Sequence, residues 1–179
     1  QALARFVEQT GIPVCETQAG KGSLPYNHPQ NMGAVGAPGT LAANQLAPNA
    51  DLIIGIGTRY SDFTTSSKTA FQNPHVRLLN INVARFDALK HSAIPLTSDA
   101  RVTLDALTPA LCGYKVDAAY QARISRLQDA WEAEVERLFH LDNQPVPAQS
   151  EVIGAIWESA GPLDVLVSAA GSHPGDLHK

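Results

Sequence analysis

Long apolar runs are missing from this sequence. Nothing in it approaches the ~20 consecutive apolar residues that cross a bilayer, and no signal-peptide pattern opens it, so no membrane partner is expected. Positive charge is also in short supply. Lys and Arg number 13 against 17 Asp and Glu, giving a formal net charge of −4 with both signs interspersed. A nucleic-acid partner, which would require a basic face, is therefore not expected either. Cysteine is limited to Cys15 and Cys112. Both sit in apolar surroundings, so they read as small core residues rather than as a disulfide framework, and a reducing cytoplasm is the expected setting. There is no Walker motif, no nucleophile elbow and no C-x-x-C pair. Asp and Glu are spread over helix surfaces without forming an obvious acid–base pair. The six histidines are scattered. The only local group with metal-like residue types is His173, Asp176 and His178, which has no fixed helical register and reads as a loop at a strand end. No metal site is expected.

What the sequence does have is enough apolar material for a core. Of its 179 residues 44% are hydrophobic, which suits one domain plus part of a second. The organising stretch covers residues 50–62. Leu52-Ile53-Ile54-Gly55-Ile56 is too short for a helix and reads as a strand buried on both faces, as inside a parallel sheet. It stops at Gly57-Thr58-Arg59. Ligands of open α/β sheets bind at the carboxyl ends of the strands. Gly57 would let backbone approach a ligand, and Arg59 suits phosphate or carboxylate. The competing reading is a tight turn with a surface arginine. Gly55-x-Gly57 lacks the third glycine of the dinucleotide fingerprint.

Ahead of that strand, Leu3, Phe6 and Val7 predict a helix that stops at Gly11. Residues 12–17 read as a short strand. Residues 20–40 form a long loop rich in Gly, Pro and Asn, whose Gly33, Gly36 and Gly39 match no phosphate-binding spacing. Thr40 would cap a helix through Leu46. Beyond residue 62, strands are expected at 76–83 and 94–96, with a helical turn between them and a helix capped by Ser98-Asp99-Ala100 that runs through Leu111 and stops at Gly113. This alternation implies a parallel sheet with helices on both faces. Ile124, Leu127, Trp131, Val135 and Leu138 mark one long amphipathic helix, expected to pack on a neighbouring domain. A proline-rich linker, a helix from Ser150 and a buried strand at 164–170 complete the pattern. The implied division is 1–113, 114–148 and 149–179.

The order of these pieces resembles the middle domain of the thiamine-diphosphate enzymes related to acetolactate synthase and pyruvate oxidase. The resemblance rests on Gly39-Thr40-Leu41-Ala42-Ala43-Asn44, on residues 50–62, on Asn80-Ile81-Asn82-Val83 and on residues 94–100. It covers residues 1–113, and residues 149–179 resemble the opening of the pyrophosphate-binding domain that follows. The fold class implied is α/β, a Rossmann-like open parallel sheet with helices on both faces, here without its first strand. Residues 60–68, 80–88 and 169–179 resemble most closely the branch of the family that opens a cyclic 1,2-diketone in inositol catabolism.

The resemblance implies thiamine diphosphate and Mg²⁺ as cofactors, a small-molecule substrate, the other domains of the same chain as partners, and a homodimer or homotetramer. Gly171, Ser172 and His173 match the place where relatives touch the diphosphate. The family's activating glutamate belongs to the first domain and its metal motif to a later part of the third. Gly175-Asp176 is followed here by Leu177, which departs from that motif. The sequence is therefore expected to be an excised piece with no catalytic residue and no metal ligand of its own, inactive alone. Some relatives hold FAD on the middle domain, which would place Gly57 and Arg59 at the flavin; others keep the fold without a ligand. The alternatives carried forward are a structural scaffold, an FAD- or NAD-binding domain, and the middle domain of an acetolactate synthase-like carboligase. The neutral Asn80 and Asn82 stand where an acidic ribose anchor would be, which weakens NAD. A sirtuin-like domain lacks support because there are no zinc-binding cysteines.

Overall fold

The computed structural model describes residues 2–167 and 176–177. Helix α1 (Ala2–Thr10) buries Phe6, Val7 and Thr10 on one face. It ends where the Gly11 N–H donates to the Val7 carbonyl at 2.7 Å. Strand β1 (Val14–Glu16) follows. A second strand, β2 (Asn31–Ala34), lies within the stretch expected to be loop, and pairs with β1 in parallel. Its four residues include Gly33 and Asn31, poor strand formers, so composition hides it. Helix α2 (Leu41–Leu46) starts at Thr40, whose hydroxyl accepts from the Ala43 N–H at 3.0 Å as a capping residue should.

Three more parallel strands follow, β3 (Leu52–Ile56), β4 (Arg77–Asn82) and β5 (Ile94–Thr97), in the spatial order β3-β4-β5. The short helices α3 (Asp62–Thr65) and α4 (Arg85–Ala88) occupy the connections. Helix α5 (Ala100–Ala110) is capped by the Asp99 carboxylate, which accepts from Val102 N–H at 3.0 Å. The long helix α6 (Ala118–Phe139) and then α7 (Gln149–Ser159) follow.

Alternate residues of a strand face opposite sides, and β1 shows which helices cover each. Val14 joins a core of Phe6, Val7, Leu24 and Leu104, made by α1 and α5. Cys15 joins a core of Met32, Val35, Ala42, Ala43, Leu46 and Ile124, made by α2 and α6. Helices thus lie on both faces of parallel strands, as expected. Two details differ. The strands form a two-stranded and a three-stranded piece rather than one sheet. The β3–β5 piece is also less covered than a fully buried sheet, with Leu52 48% and Ile94 49% exposed.

Two further expectations, at residues 164–167 and at Cys112, need correction. Helix α6 turns its stripe of Tyr120, Ile124, Leu127 and Trp131 onto the core beneath α2, against Met32, Val35, Ala42, Ala43 and Leu46. Its Arg123 guanidinium also donates to the Gln45 carbonyl at 3.2 Å. Residues 164–167 form no strand, and Val165 and Val167 are exposed; no described strand pairs with them, and an isolated strand has no ladder to hold it. Cys112 is exposed rather than buried. Cys15 behaves as a core residue, and burial, aided by the Glu16 charge, pushes its thiol up to about 12.

Helices α6 and α7 are joined by a charged tie. His140 Nδ1 lies 3.3 Å from Glu136 Oε1, and its Nε2 lies 3.2 Å from Glu158 Oε1. The Glu136 carbonyl, then the two carboxylates, raise the imidazole above its ordinary value. A raised folded-state pKa adds stability below the unfolded value of ~6.5, and that stability is lost as pH rises through the folded-state value. The fluorescence of Trp157 on α7 should therefore report loosening of α7 from α6 just above that range. His140→Gln should abolish this pH response, and high salt should weaken it.

Candidate functional site

A crevice of about 460 Å³ opens at the carboxyl ends of β1, β2 and β3. Its walls include Thr17, Val35, Pro38, Gly57, Arg59 and Phe63. This is where the chain reverses its direction of winding: β2 continues outward from β1, while α2 carries the chain back to β3. Open α/β sheets bind ligands at such a switch point. Both middle-domain residues singled out in the sequence, Gly57 and Arg59, line it. Gly57 has φ +64°, and a Cβ there would meet nothing within 4 Å. Arg59 is exposed, and among the described residues its guanidinium has no hydrogen-bond or ion-pair partner.

The glycine-rich wall is closed to anions by its own bonding. A phosphate cradle needs backbone N–H groups free to point at the ligand. Here Gly33 N–H donates to Asn31 Oδ1 at 2.8 Å, and Gly36 N–H to Asn44 Oδ1 at 3.0 Å. Val35, Ala37, Gly39 and Thr40 donate to the carbonyls of Glu16, Phe63, Gly36 and Ala34 at 2.7–3.0 Å. Gly36 is glycine for a packing reason: it has φ +101°, and a Cβ would collide with the Phe63 carbonyl oxygen. The loop is thus docked onto the start of α3.

The end of β4 is equally occupied. Asn80 is 1% exposed. Its Oδ1 accepts from the Tyr60 hydroxyl at 2.7 Å, and its Nδ2 donates to the carbonyls of Ala88 and Lys90, both at 3.2 Å. Asn82 Nδ2 donates to the Thr58 carbonyl at 3.0 Å, while its Oδ1 accepts from Ala84 N–H at 2.9 Å. Lys90 Nζ, paired with Asp87 at 2.7 Å, donates to the Arg59 carbonyl at 2.8 Å. Burial raises the Tyr60 phenol, which keeps it protonated as the donor. Burial, then the Lys68 and Lys90 charges, lower His91, which meets the Tyr60 ring edge-on at 5.1 Å. The left-handed Tyr60, φ +51°, swings its side chain back over Gly55. A side chain at Gly55 would collide with the Tyr60 hydroxyl.

An acidic ribose anchor is thus replaced by two amides that are fully used within the fold. Sequence reasoning weighed Asn80 and Asn82 only for their missing charge, and gave Tyr60 no role. The combination of a small residue in the strand, a tyrosine four residues beyond its end, and a buried amide on the next strand is the signal available. Gly171, Ser172 and His173 lie outside the described residues, as does the strand expected at 168–170. Among the described residues no three His, Cys, Asp or Glu side chains gather to hold a metal. No described helix is long and apolar enough to cross a membrane.

The strand order, the switch-point crevice and the docked loop define a class, and comparison identifies it. Residues 1–107 match the model of the thiamine pyrophosphate enzyme central domain, and the chain belongs to that family. Over its whole length the chain is 37% identical to a 3D-(3,5/4)-trihydroxycyclohexane-1,2-dione hydrolase of Clostridium perfringens and 40% identical to one of Bacillus cereus, covering 32% of each. Over 99% of its length it is 41% identical to the Geobacillus thermodenitrificans protein of the same name, covering 31% of it. The chain therefore spans about a third of the curated relatives it matches.

Removing the Tyr60 hydroxyl should leave the buried Asn80 oxygen without its donor. Tyr60→Phe is expected to cost about 1–3 kcal/mol, read as a lowered urea midpoint with an unchanged slope.

Proposed function

We propose that this chain is the middle portion of a thiamine-diphosphate-dependent hydrolase that opens a cyclic 1,2-dione, the ring-opening step of inositol breakdown. The observation that carries this reading is identity of 37–41% across essentially the whole chain to proteins bearing that one hydrolase name. When bound, thiamine diphosphate supplies a nucleophilic carbon and an electron sink for C–C cleavage, and the protein binds and orients it. In this reading residues 1–113 are the middle domain, 114–148 the connecting helix and linker, and 149–179 the opening of the pyrophosphate-binding domain. Gly171, Ser172 and His173 stand at the diphosphate. The activating carboxylate and the Mg²⁺ ligands belong to other parts of the enzyme, so this portion alone is inactive. The enzyme works as a cytoplasmic homodimer or homotetramer on a small-molecule substrate, without nucleic acid or membrane.

Within that enzyme the middle portion is a scaffold. The loop amides that would hold a diphosphate are bonded internally, and the ribose position is occupied by Asn80 and Asn82. These bonds oppose an NAD site. A second reading, FAD in the crevice, is favoured by the open Gly57 and the unpartnered Arg59.

The test uses the full enzyme with its dione substrate. Substrate consumption that requires both thiamine diphosphate and Mg²⁺ is the expected result. Condensation of pyruvate with no dione turnover would favour the carboligase alternative and overturn the proposal. Thermal unfolding with added FAD tests the second reading, since a ligand bound only to the folded state raises the midpoint. No rise is expected. A rise that Arg59→Ala removes would show the scaffold assignment to be wrong.

A further inference from the structure

Helix α7 has little core of its own. The residue it buries is Gly154, where a Cβ would collide with the Phe139 side chain of α6, while Trp157 is 61% exposed. With so little apolar area holding it, α7 depends on polar and aromatic ties for its position. Two such ties come from one loop of the middle portion, the residues that leave β1. Lys21 Nζ donates to the Leu177 carbonyl at 3.1 Å. Tyr26 sets its ring 6.2 Å from that of Trp157, tilted by 55°, and its hydroxyl donates to Glu132 on α6 at 2.6 Å. Leu177 goes with α7, because its neighbour Asp176 accepts from Gln149 Nε2, at the start of that helix, at 2.8 Å.

The loop is built to hold these two side chains still. Glu16, the last residue of β1, is only 6% exposed. A buried carboxylate must be hydrogen-bonded, and this one turns Oε1 to the loop, where it accepts from the Ser23 hydroxyl at 2.8 Å and the Leu24 N–H at 3.2 Å. Thr17 Oγ1 accepts from Gly20 N–H at 3.1 Å, and Ser23 N–H donates to the Gly20 carbonyl at 3.0 Å. Leu24, buried in the core made by α1 and α5, pins the loop from below. Asn31 Nδ2 donates to the Pro25 carbonyl at 3.2 Å, just ahead of Tyr26. Lys21 stands at the tip between Gly20 and Gly22, the second of which has φ +84°. Burial lowers its amine, and the Glu16 charge opposes that shift.

We propose that the loop of residues 16–26 is a clasp by which the middle portion positions residues 149–179, with Lys21 and Tyr26 as positioning residues and Glu16 shaping the loop that carries them. The clasp stands on these contacts alone. Its consequence rests on the proposed enzyme, in which residues 149–179 open the pyrophosphate-binding domain. Leu177 lies four residues beyond His173, and four residues span at most ~14 Å. The Lys21 tie therefore anchors the chain within that reach of the residues assigned to the diphosphate. A cofactor that requires this portion docked binds more weakly as the docked fraction falls. The clasp thus acts on cofactor affinity and leaves the chemical step alone.

Peptide-resolved amide hydrogen exchange of the full enzyme without cofactor tests the clasp. Lys21→Met should speed exchange in residues 149–159 about 5-fold, the weight of one lost hydrogen bond, while α1 and α5 keep their rates. Lys21→Arg, which keeps a cationic donor of similar reach, should restore the wild-type rate. Unchanged exchange in α7, or an equal rise in α1 and α5, would overturn the clasp. Calorimetric titration with thiamine diphosphate at saturating Mg²⁺ tests the consequence. Lys21→Met should raise the dissociation constant about 2- to 5-fold, with kcat unchanged at saturating cofactor. Equal constants for Lys21→Met and wild type would overturn the positioning role. No binding by the wild-type enzyme would instead overturn the proposed enzyme and with it the consequence for the cofactor, whereas the exchange result decides the clasp either way.

Discussion

One buried hydrogen bond, from the Tyr60 hydroxyl to Asn80, holds the carboxyl end of the sheet in its present shape. Asn80 offers an acceptor and two donor hydrogens, and all are used: by the loop that leaves β3, by the end of α4 and by the turn that leads to β5. Both connections of the three-stranded piece, from β3 to β4 and from β4 to β5, are therefore fixed to its central strand. Asn82 and Lys90 add further ties to Thr58 and Arg59. The geometry of the crevice wall is a consequence of that network. Gly57 and Arg59 stand where they do because the residue after them is held down.

The same network explains how a fold built for ligand binding can serve as a frame. A dinucleotide site at a switch point needs free amides on one wall and a carboxylate on the next strand. Here the amides bond to Asn44, Phe63 and neighbouring carbonyls, and neutral side chains replace the carboxylate. Rigidity and ligand binding draw on the same polar groups, and in this chain most of those groups are bonded within the fold. Around α7, the apolar side chains of Val152, Trp157 and Leu163 are exposed. That surface suits contact with further protein more than contact with water.

Much of this was legible in the sequence wherever a local rule governs. Thr40 and Asp99 cap their helices as residue type dictates, and the Leu52–Ile56 run is a strand because it is short, branched and bounded by turns. The long stripe of α6 was equally plain, but its partner was not: periodicity shows which face is buried and not what covers it. The β2 strand was invisible because Asn31 and Gly33 look like loop residues, and only pairing with β1 makes them strand. The Tyr60–Asn80 bond joins residues twenty positions apart through a left-handed turn, and neither composition nor spacing announces it. The separation of the sheet into two pieces was unreadable for the same reason, since pairing is a property of edges in space.

The two thiols of this chain differ in chemistry because of where the helices lie. Cys15 is covered by the core under α2 and stays protonated far above neutral pH. Cys112, just past the end of α5, is open to solvent. Only the thiolate attacks an electrophile, so a maleimide dye offered to this chain at neutral pH finds a single handle. That handle stands just past the end of the helix packed against α1, so a label placed there would sense the fit between the two helices without touching the crevice.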